Sequence, residues 1–305
     1  MRDDVFIKDV LARCDALKSS GLWPVEPKVR PRAWLNNFDP DDRWLAAMLL
    51  DRFTFYNDAL TDRLLLSAFS SLADGLPKGP TAPGRAELVA ALDDAVFTPV
   101  EGEDPNRTDS GNFLCRKARQ LLLLPDSRVV EPRIALQAAR AGRAVVFLDD
   151  FIGSGDQFMS TWTRDDLSTG ALNSFANAHS AQPFPAMYVC LVATSGGLTR
   201  IAAAAPNVAV SVAHVLDASS SVFQIVPLPP RNTHELQVLI ESFLKKYESR
   251  LAPREPYIAN NADFRLYGYR KLGLMFAFAH SVPDATLPIF WSAGTGNWTP
   301  LVERT

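Results

Sequence analysis

Near the middle of the chain, four apolar residues (Val145–Leu148) run directly into two adjacent carboxylates, Asp149 and Asp150. A Gly-Ser-Gly turn at Gly153–Gly155 follows. The segment VVFLDDFIGSGDQF restricts the fold more than any other. A short apolar run of this kind, ended by acids and glycines, is a buried strand that delivers its polar end to a turn and a new helix. Similar units recur from about residue 90. Ala95–Val100 is an expected strand before the polar loop EGEDPNRTDSG, and a helix is expected over Asn112–Leu124. Met187–Ala193 is a strand ending in Thr194–Gly197 (TSGG), and Val208–Val215 and Val222–Val226 are further strands. Strands alternating with helices imply parallel pairing and an α/β sheet. Ligands of such sheets lie at the carboxyl ends of the strands, where these Gly/Ser turns fall.

The first ninety residues read as helical. Asp39-Pro40-Asp41-Asp42 is a helix start, with acids at the positive end of the dipole and proline in the first turn. Leu45, Met48, Leu49, Phe53 and Tyr56 follow at helical spacing, and a second helix is expected over Leu60–Leu72. The stretch LPKGPTAPGR reads as a loop or domain boundary. In the last eighty residues Asn232 and Glu235 have capping-box spacing, ahead of an apolar face of Leu236, Leu239, Phe243 and Tyr247. The aromatic, proline-rich tail reads as strands and turns. The expected division is thus a helical region 1–90, an α/β core 91–230 and a C-terminal helix with closing segment 231–305.

At 305 residues and 47% apolar content the chain has the makings of a large core. A net charge of -3 argues against a general nucleic-acid or anionic-membrane binder. The N-terminus lacks the basic-then-apolar order of a signal peptide, and no apolar run approaches a membrane span. Cys14, Cys115 and Cys190 lie far apart without metal-ligand spacing, which fits a reducing compartment and a cytoplasmic protein.

The chemistry is sought in the Asp149–Gln157 segment. Glycines let a backbone approach a ligand, and successive N–H groups at a helix start attract anions. Two carboxylates beside such a site suit a ligand with hydroxyls near a phosphate, such as ribose 5-phosphate. Other readings compete. A P-loop ATPase strand also ends in acids, but no GxxxxGK[ST] exists here. A dinucleotide turn needs a glycine where Phe158 stands, and a methyltransferase loop fits the spacing poorly. The plain alternative is an acid-capped structural turn.

Elsewhere, Asp109, Ser110 and Gly111 stand at a helix start with Arg116 behind them. TSGG is a second strand-end turn, more simply a cap, and Arg200 beyond it an ordinary solvated residue. His280 reads as structural, and His179, His214 and His234 lack ligand spacing. Trp291 and Trp298 are candidates to stack a base, though large aromatics are more often core.

VVFLDDFIGSG resembles the phosphoribosyl-pyrophosphate loop of type I phosphoribosyltransferases: four apolar residues, two acids, two spacers and a small turn. More narrowly, the chain resembles PRTase-CE, a phosphoribosyltransferase-like family of bacterial conflict and defence operons. Trp34-Leu35-x-Asn37-Phe38 is similar to that family's lead-in. PDATLPIFW, with Trp298, Pro300, Leu301 and Arg304, is similar to its C-terminal signature. The resemblance implies a parallel sheet flanked by helices, with a helical N-terminal extension and a C-terminal hood-like segment. It implies binding of phosphoribosyl pyrophosphate or a related nucleotide, with transfer or hydrolysis at the anomeric carbon and Mg²⁺ carried on the pyrophosphate. Asp149 and Asp150 would hold the ribose, Gly153, Ser154, Gly155, Asp156 and Gln157 the 5-phosphate, and Asp109, Ser110, Gly111 and Arg116 the pyrophosphate side. An operon-encoded protein partner is a further implication. Asp156 departs from the usual neutral or basic residue, and Gly153 stands where salvage enzymes place an acidic base. A non-catalytic nucleotide sensor regulating a partner is therefore the alternative.

Overall fold

The computed structural model describes residues 2–72, 85–102, 110–166, 173–225, 233–253, 258 and 260–304. Its strands are β1 (Thr54–Tyr56), β2 (Val96–Pro99), β3 (Val145–Ile152), β4 (Ala186–Thr194), β5 (Val208–Leu216) and β6 (Phe276–Phe278). The chain divides into two compact units, residues 59–216 and residues 1–58 with 217–305. The expected three stretches follow chain order, whereas the contacts join the first and last parts of the chain.

The unit of residues 59–216 is an α/β layer structure. Its sheet runs β2-β3-β4-β5 with every neighbour parallel. Parallel neighbours cannot be joined by hairpins, so each connection crosses over through helix. Helices Ser110–Leu121 and Pro132–Arg140 lie between β2 and β3, Asp156–Thr163 and Phe175–Ala181 between β3 and β4, and Ser195–Ala204 between β4 and β5. β3 and β4 are buried along nearly their whole length, as strands covered on both faces must be. Leu148 is in register with Val189 and Asp149 with Cys190, so the acids lie in the carboxyl half of β3, where pairing continues to Ile152 and Ala193.

Aromatic packing sets the helix that follows the acids. Phe158 stacks on Tyr188 at 4.4 Å and 12°, and Phe147 meets Phe175 edge-on at 4.8 Å. Both Phe158 and Tyr188 are essentially fully buried. Removing such rings from water contributes about 1.5–3 kcal/mol each. The helix Asp156–Thr163 is thereby packed against β4 through Tyr188.

The unit of residues 1–58 and 217–305 is mainly helical, with β1 and β6 forming a two-stranded parallel sheet. The lead-in and the C-terminal signature meet in its core. Trp34 stacks on Phe290 at 5.2 Å and donates its indole N–H to the Ile289 carbonyl at 2.8 Å. Asn37 donates to Thr299 O at 2.7 Å and accepts from Thr299 N at 2.9 Å. Arg304 pairs with Asp284 at 2.5 Å and lies over Trp291. The segment expected as a hood is thus structurally one with the N-terminal extension. Trp291 and Trp298 are 3% and 7% exposed, which makes them core residues here and no stacking platform.

Two local expectations are corrected. The helix begun at Asp39–Asp42 ends at Asp51, and Tyr56 lies in β1. Thr-Phe-Tyr favours a pleated strand and finds Phe276–Phe278 as its partner. Val222–Gln224 is a 3-10 turn in which the Ser221 hydroxyl accepts from Phe223 N at 3.4 Å. Asn232, the expected cap, and residues 76–84 of the proline-glycine stretch lie outside the described residues. Of the remaining histidines, His280 stacks on Phe278, and His179 lies against Trp162 and Phe184. His214 and His234 are exposed.

Candidate functional site

β3 carries Asp149 and Asp150 at its carboxyl end, 1% and 5% exposed. Asp149 Oδ1 accepts from Ser110 Oγ at 3.2 Å and from the Asp150 amide at 2.9 Å; Oδ2 accepts from Tyr188 Oη at 3.3 Å. Those donors favour the anion. Burial, followed by the charge of Asp150, outweighs them and holds the Asp149 carboxyl well above the usual carboxylate range. Burial and the same carboxyl push the Tyr188 phenol up. Tyr188 was not singled out from the sequence. Its only signal is a lone hydroxyl in an otherwise apolar strand, MYVCLVA.

Ser110 opens the helix Ser110–Leu121, so its bond ties the expected pyrophosphate side to the expected ribose acids. Gly111 is needed there for space. A Cβ would stand 2.7 Å from Val100 O and 2.9 Å from Pro99 Cβ. Arg116 is exposed on this helix, and Asp109 lies outside the described residues. The loop leaving β2 is anchored by residues that no motif marked. Arg164 reaches Glu101 Oε2 at 3.0 Å and Gly102 O at 2.6 Å, and Thr161 Oγ1 accepts from Glu101 N at 3.0 Å.

The Gly153–Gly155 turn leads into Asp156–Thr163 with Gly155 at φ +79° as the helix N-cap. A side chain there is strained by the left-handed backbone, and a Cβ would also stand 3.2 Å from Gly197 O and Ile201 Cγ1. TSGG belongs to the same construction. Thr194 Oγ1 donates to Gly153 O at 2.5 Å and accepts from Gly197 N at 3.0 Å. A Cβ on Gly197 would collide with Gly153 O. The second strand-end turn is therefore a cap, as its plain reading held, and also a clamp on the first.

Asp156, the departure from the usual loop, has both carboxylate oxygens engaged. Oδ2 accepts from Ser154 Oγ at 2.8 Å, Oδ1 is ion-paired with Arg200, and the Asp156 amide donates to Ser154 Oγ at 3.3 Å. Arg200 is thus a partner of the turn, a correction to its reading as an ordinary solvated residue. Gln157 is half-buried in the first turn of the helix.

The Asp149 oxygens already accept from three groups, and among the described residues no cluster of three acidic, histidine or cysteine side chains is spaced to hold a metal. Among the described residues these side chains do not by themselves form a Mg²⁺ cage.

The PRTase-CE family model matches residues 31–304, nine-tenths of the chain and both units. The chain belongs to the PRTase-CE family. This PRTase-CE protein is phosphoribosyltransferase-like, with the α/β parallel sheet that the resemblance implied. A search of curated proteins gave no match. Among solved structures it is similar to the AQ2163 protein from Aquifex aeolicus at 14% identity. That likeness covers 63% of this chain and 87% of the other with a TM-score of 0.28, too loose a superposition to argue from. Among the described residues no helix is long and apolar enough to cross a membrane.

Proposed function

We propose that this PRTase-CE protein binds phosphoribosyl pyrophosphate or a closely related ribose 5-phosphate ligand at the carboxyl end of β3. The observation carrying the reading is the junction of a buried acid pair with a helix start whose N-cap, the left-handed Gly155, carries no side chain. Asp149 and Asp150 accept the ribose hydroxyls. For Asp149 this requires Ser110 or Tyr188 to yield its bond. The amides of Gly153–Gln157 take the 5-phosphate, where the helix dipole adds to their hydrogen bonds. Ser110 and Gly111 stand on the pyrophosphate side, with Asp109 and Arg116 assigned there by resemblance.

In the catalytic form of this proposal the bond from C1 to the pyrophosphate oxygen breaks, with its electron pair leaving on pyrophosphate. Water or a base nitrogen supplies the new bond to C1 and loses its proton. Mg²⁺ carried in on the pyrophosphate would supply neutralisation of the departing charge, and the fixed dipoles of the turn would stabilise the cationic sugar. A cytoplasmic defence role with an operon-encoded partner is part of the proposal through family membership.

The test is calorimetric titration with phosphoribosyl pyrophosphate, with and without Mg²⁺, alongside a pyrophosphate-release assay using bases, nucleosides and water as acceptors. Metal-dependent release that disappears in Asp149→Asn/Asp150→Asn supports the enzyme. Tight binding without release under every condition supports a sensor. Absence of binding to any ribose phosphate overturns the site.

A further inference from the structure

Gly197 and Ile201 both lie against the Gly153–Gly155 turn, the first at Gly153 O and the second at Gly155. Arg200 is three residues after Gly197 on the same helix and so shares its face. The Thr194 bonds to Gly153 O and Gly197 N lock the start of that helix to the turn. Arg200 is therefore an arginine on a clamped surface, and its guanidinium meets the Asp156 carboxylate. The Asp156 side chain is 11% exposed and that of Arg200 is 48% exposed, so the acid is tucked in while the cation retains access to water.

The Asp156 carboxylate occupies donors that a phosphate would also seek. A phosphate edge and a carboxylate edge both accept from hydroxyls and from the guanidinium fork. Here one oxygen has the Ser154 hydroxyl and the other has Arg200. We propose that Asp156 is an internal stand-in for the ligand's phosphate, and that Arg200 is a phosphate-binding residue which Asp156 gives up when phosphate enters. This rests on the reading of the turn as a phosphate site. Asp156 engages one terminal nitrogen of Arg200, and the planar fork has further N–H donors to offer an incoming anion. The contrary reading is a partly exposed ion pair, which contributes little on its own. In that case Arg200 serves only to offset the charge of Asp156.

A double-mutant cycle separates the two. Ribose 5-phosphate and inorganic phosphate are titrated without metal into wild type, Asp156→Asn, Arg200→Ala and the double variant, each checked for an intact melting transition. Asp156→Asn is expected to tighten phosphate binding about tenfold by releasing its donors. In the Asp156→Asn background the aspartate charge is gone, so loss of Arg200 registers only its own contact with phosphate. The double variant is expected to bind about tenfold more weakly than Asp156→Asn, as for loss of one charge-assisted hydrogen bond. Arg200→Lys keeps the charge without the fork and should fall between. Equal affinities for Asp156→Asn and the double variant, in a protein whose wild type binds ribose 5-phosphate, overturn the role of Arg200 and leave the site standing. An Asp156→Asn variant that binds no tighter than wild type overturns the stand-in. Failure of wild type and every variant to bind either anion removes the site and this inference together.

Discussion

The Thr194 hydroxyl donates a 2.5 Å hydrogen bond to the carbonyl of Gly153, forty-one residues earlier in the chain. The same oxygen accepts from Gly197 N, so one side chain both caps a helix and holds the neighbouring strand-end turn. Two turns that look independent in the sequence are one structure. Their spacing cannot change without breaking this bond or moving β4 against β3.

Thr194→Val keeps the shape and removes both bonds. At about 1 kcal/mol per hydrogen bond, with Gly197 N then lacking its cap, a loss of roughly 2 kcal/mol in unfolding free energy is expected. Phosphate affinity should fall with it, because the Gly153 carbonyl is released. Thr194→Ser should recover most of both quantities. Denaturant melts and calorimetry on the two variants check this. Normal phosphate affinity in Thr194→Val would show that the clamp is irrelevant to the site.

Gly155→Ala isolates the demand of the turn. A left-handed non-glycine residue costs on the order of 1–2 kcal/mol. Here the new methyl would also stand 3.2 Å from both Gly197 O and Ile201 Cγ1. A melting temperature lower by several degrees is expected, since each kcal/mol shifts a domain of this size by about 2–4 °C. Gly155→Val adds a branched side chain to the same clash and should lose phosphate binding as well. A Gly155→Ala protein as stable as wild type would mean that the turn adopts another backbone.

Much of the core was legible because the sequence carries its own punctuation. VVFLDD followed by GSG fixes a strand, its exit and a helix start, and β3 extends that strand only to Ile152. Tyr56 misled because helical periodicity carried past Asp51. The β1–β6 partnership that makes Tyr56 strand depends on residues more than two hundred positions away. The joining of Trp34 to Phe290 and Asn37 to Thr299 was hidden for the same reason. At the site, Asp149 and the glycines were visible as residue types, whereas the bonds from Tyr188 and Thr194 come from strand register and that from Arg200 from the docking of the helix after β4. No local motif encodes which side chain of a neighbouring strand reaches an acid.

All three cysteines are buried and free. Burial pushes the Cys14 thiol up to about 11 and the Cys115 thiol up to about 12, and burial with the charges of Asp149 and Asp150 holds Cys190 well above the usual thiol range. The reactive thiolate is therefore scarce at neutral pH. A thiol-specific reagent at pH 8 is expected to leave the native protein essentially unlabelled and to label all three sites after denaturation. Rapid labelling of Cys190 in the native state would mean that the sheet opens at the acid pair.

Asp149→Asn addresses the cost of holding an acid inside the sheet. Burial and Asp150 raise the Asp149 carboxyl in the folded protein, while in the unfolded chain it titrates near about 3.9. A raised folded value means that the native state holds the proton more tightly than the unfolded chain. The stability from that proton is fully present below the unfolded value and is lost as pH rises toward the folded one. The Asp149 contribution to wild-type stability should therefore fall from about pH 4 upward through the range in which Asp149 titrates. Asparagine cannot ionise. Its carbonyl oxygen can still accept from Ser110 and the Asp150 amide, and its NH₂ can donate to the Tyr188 hydroxyl. Asp149→Asn is thus expected to melt higher than wild type at pH 7–8 and to show a flatter profile, while binding ribose phosphates more weakly for want of an acceptor. Melting curves across pH 4–8, set beside calorimetry at one pH, separate the two effects. A variant less stable than wild type at neutral pH would mean that the internal hydrogen bonds of the carboxylate outweigh its desolvation. Asp149 would then be a structural fastener between Ser110 and Tyr188, and the ribose hydroxyls would be left to Asp150.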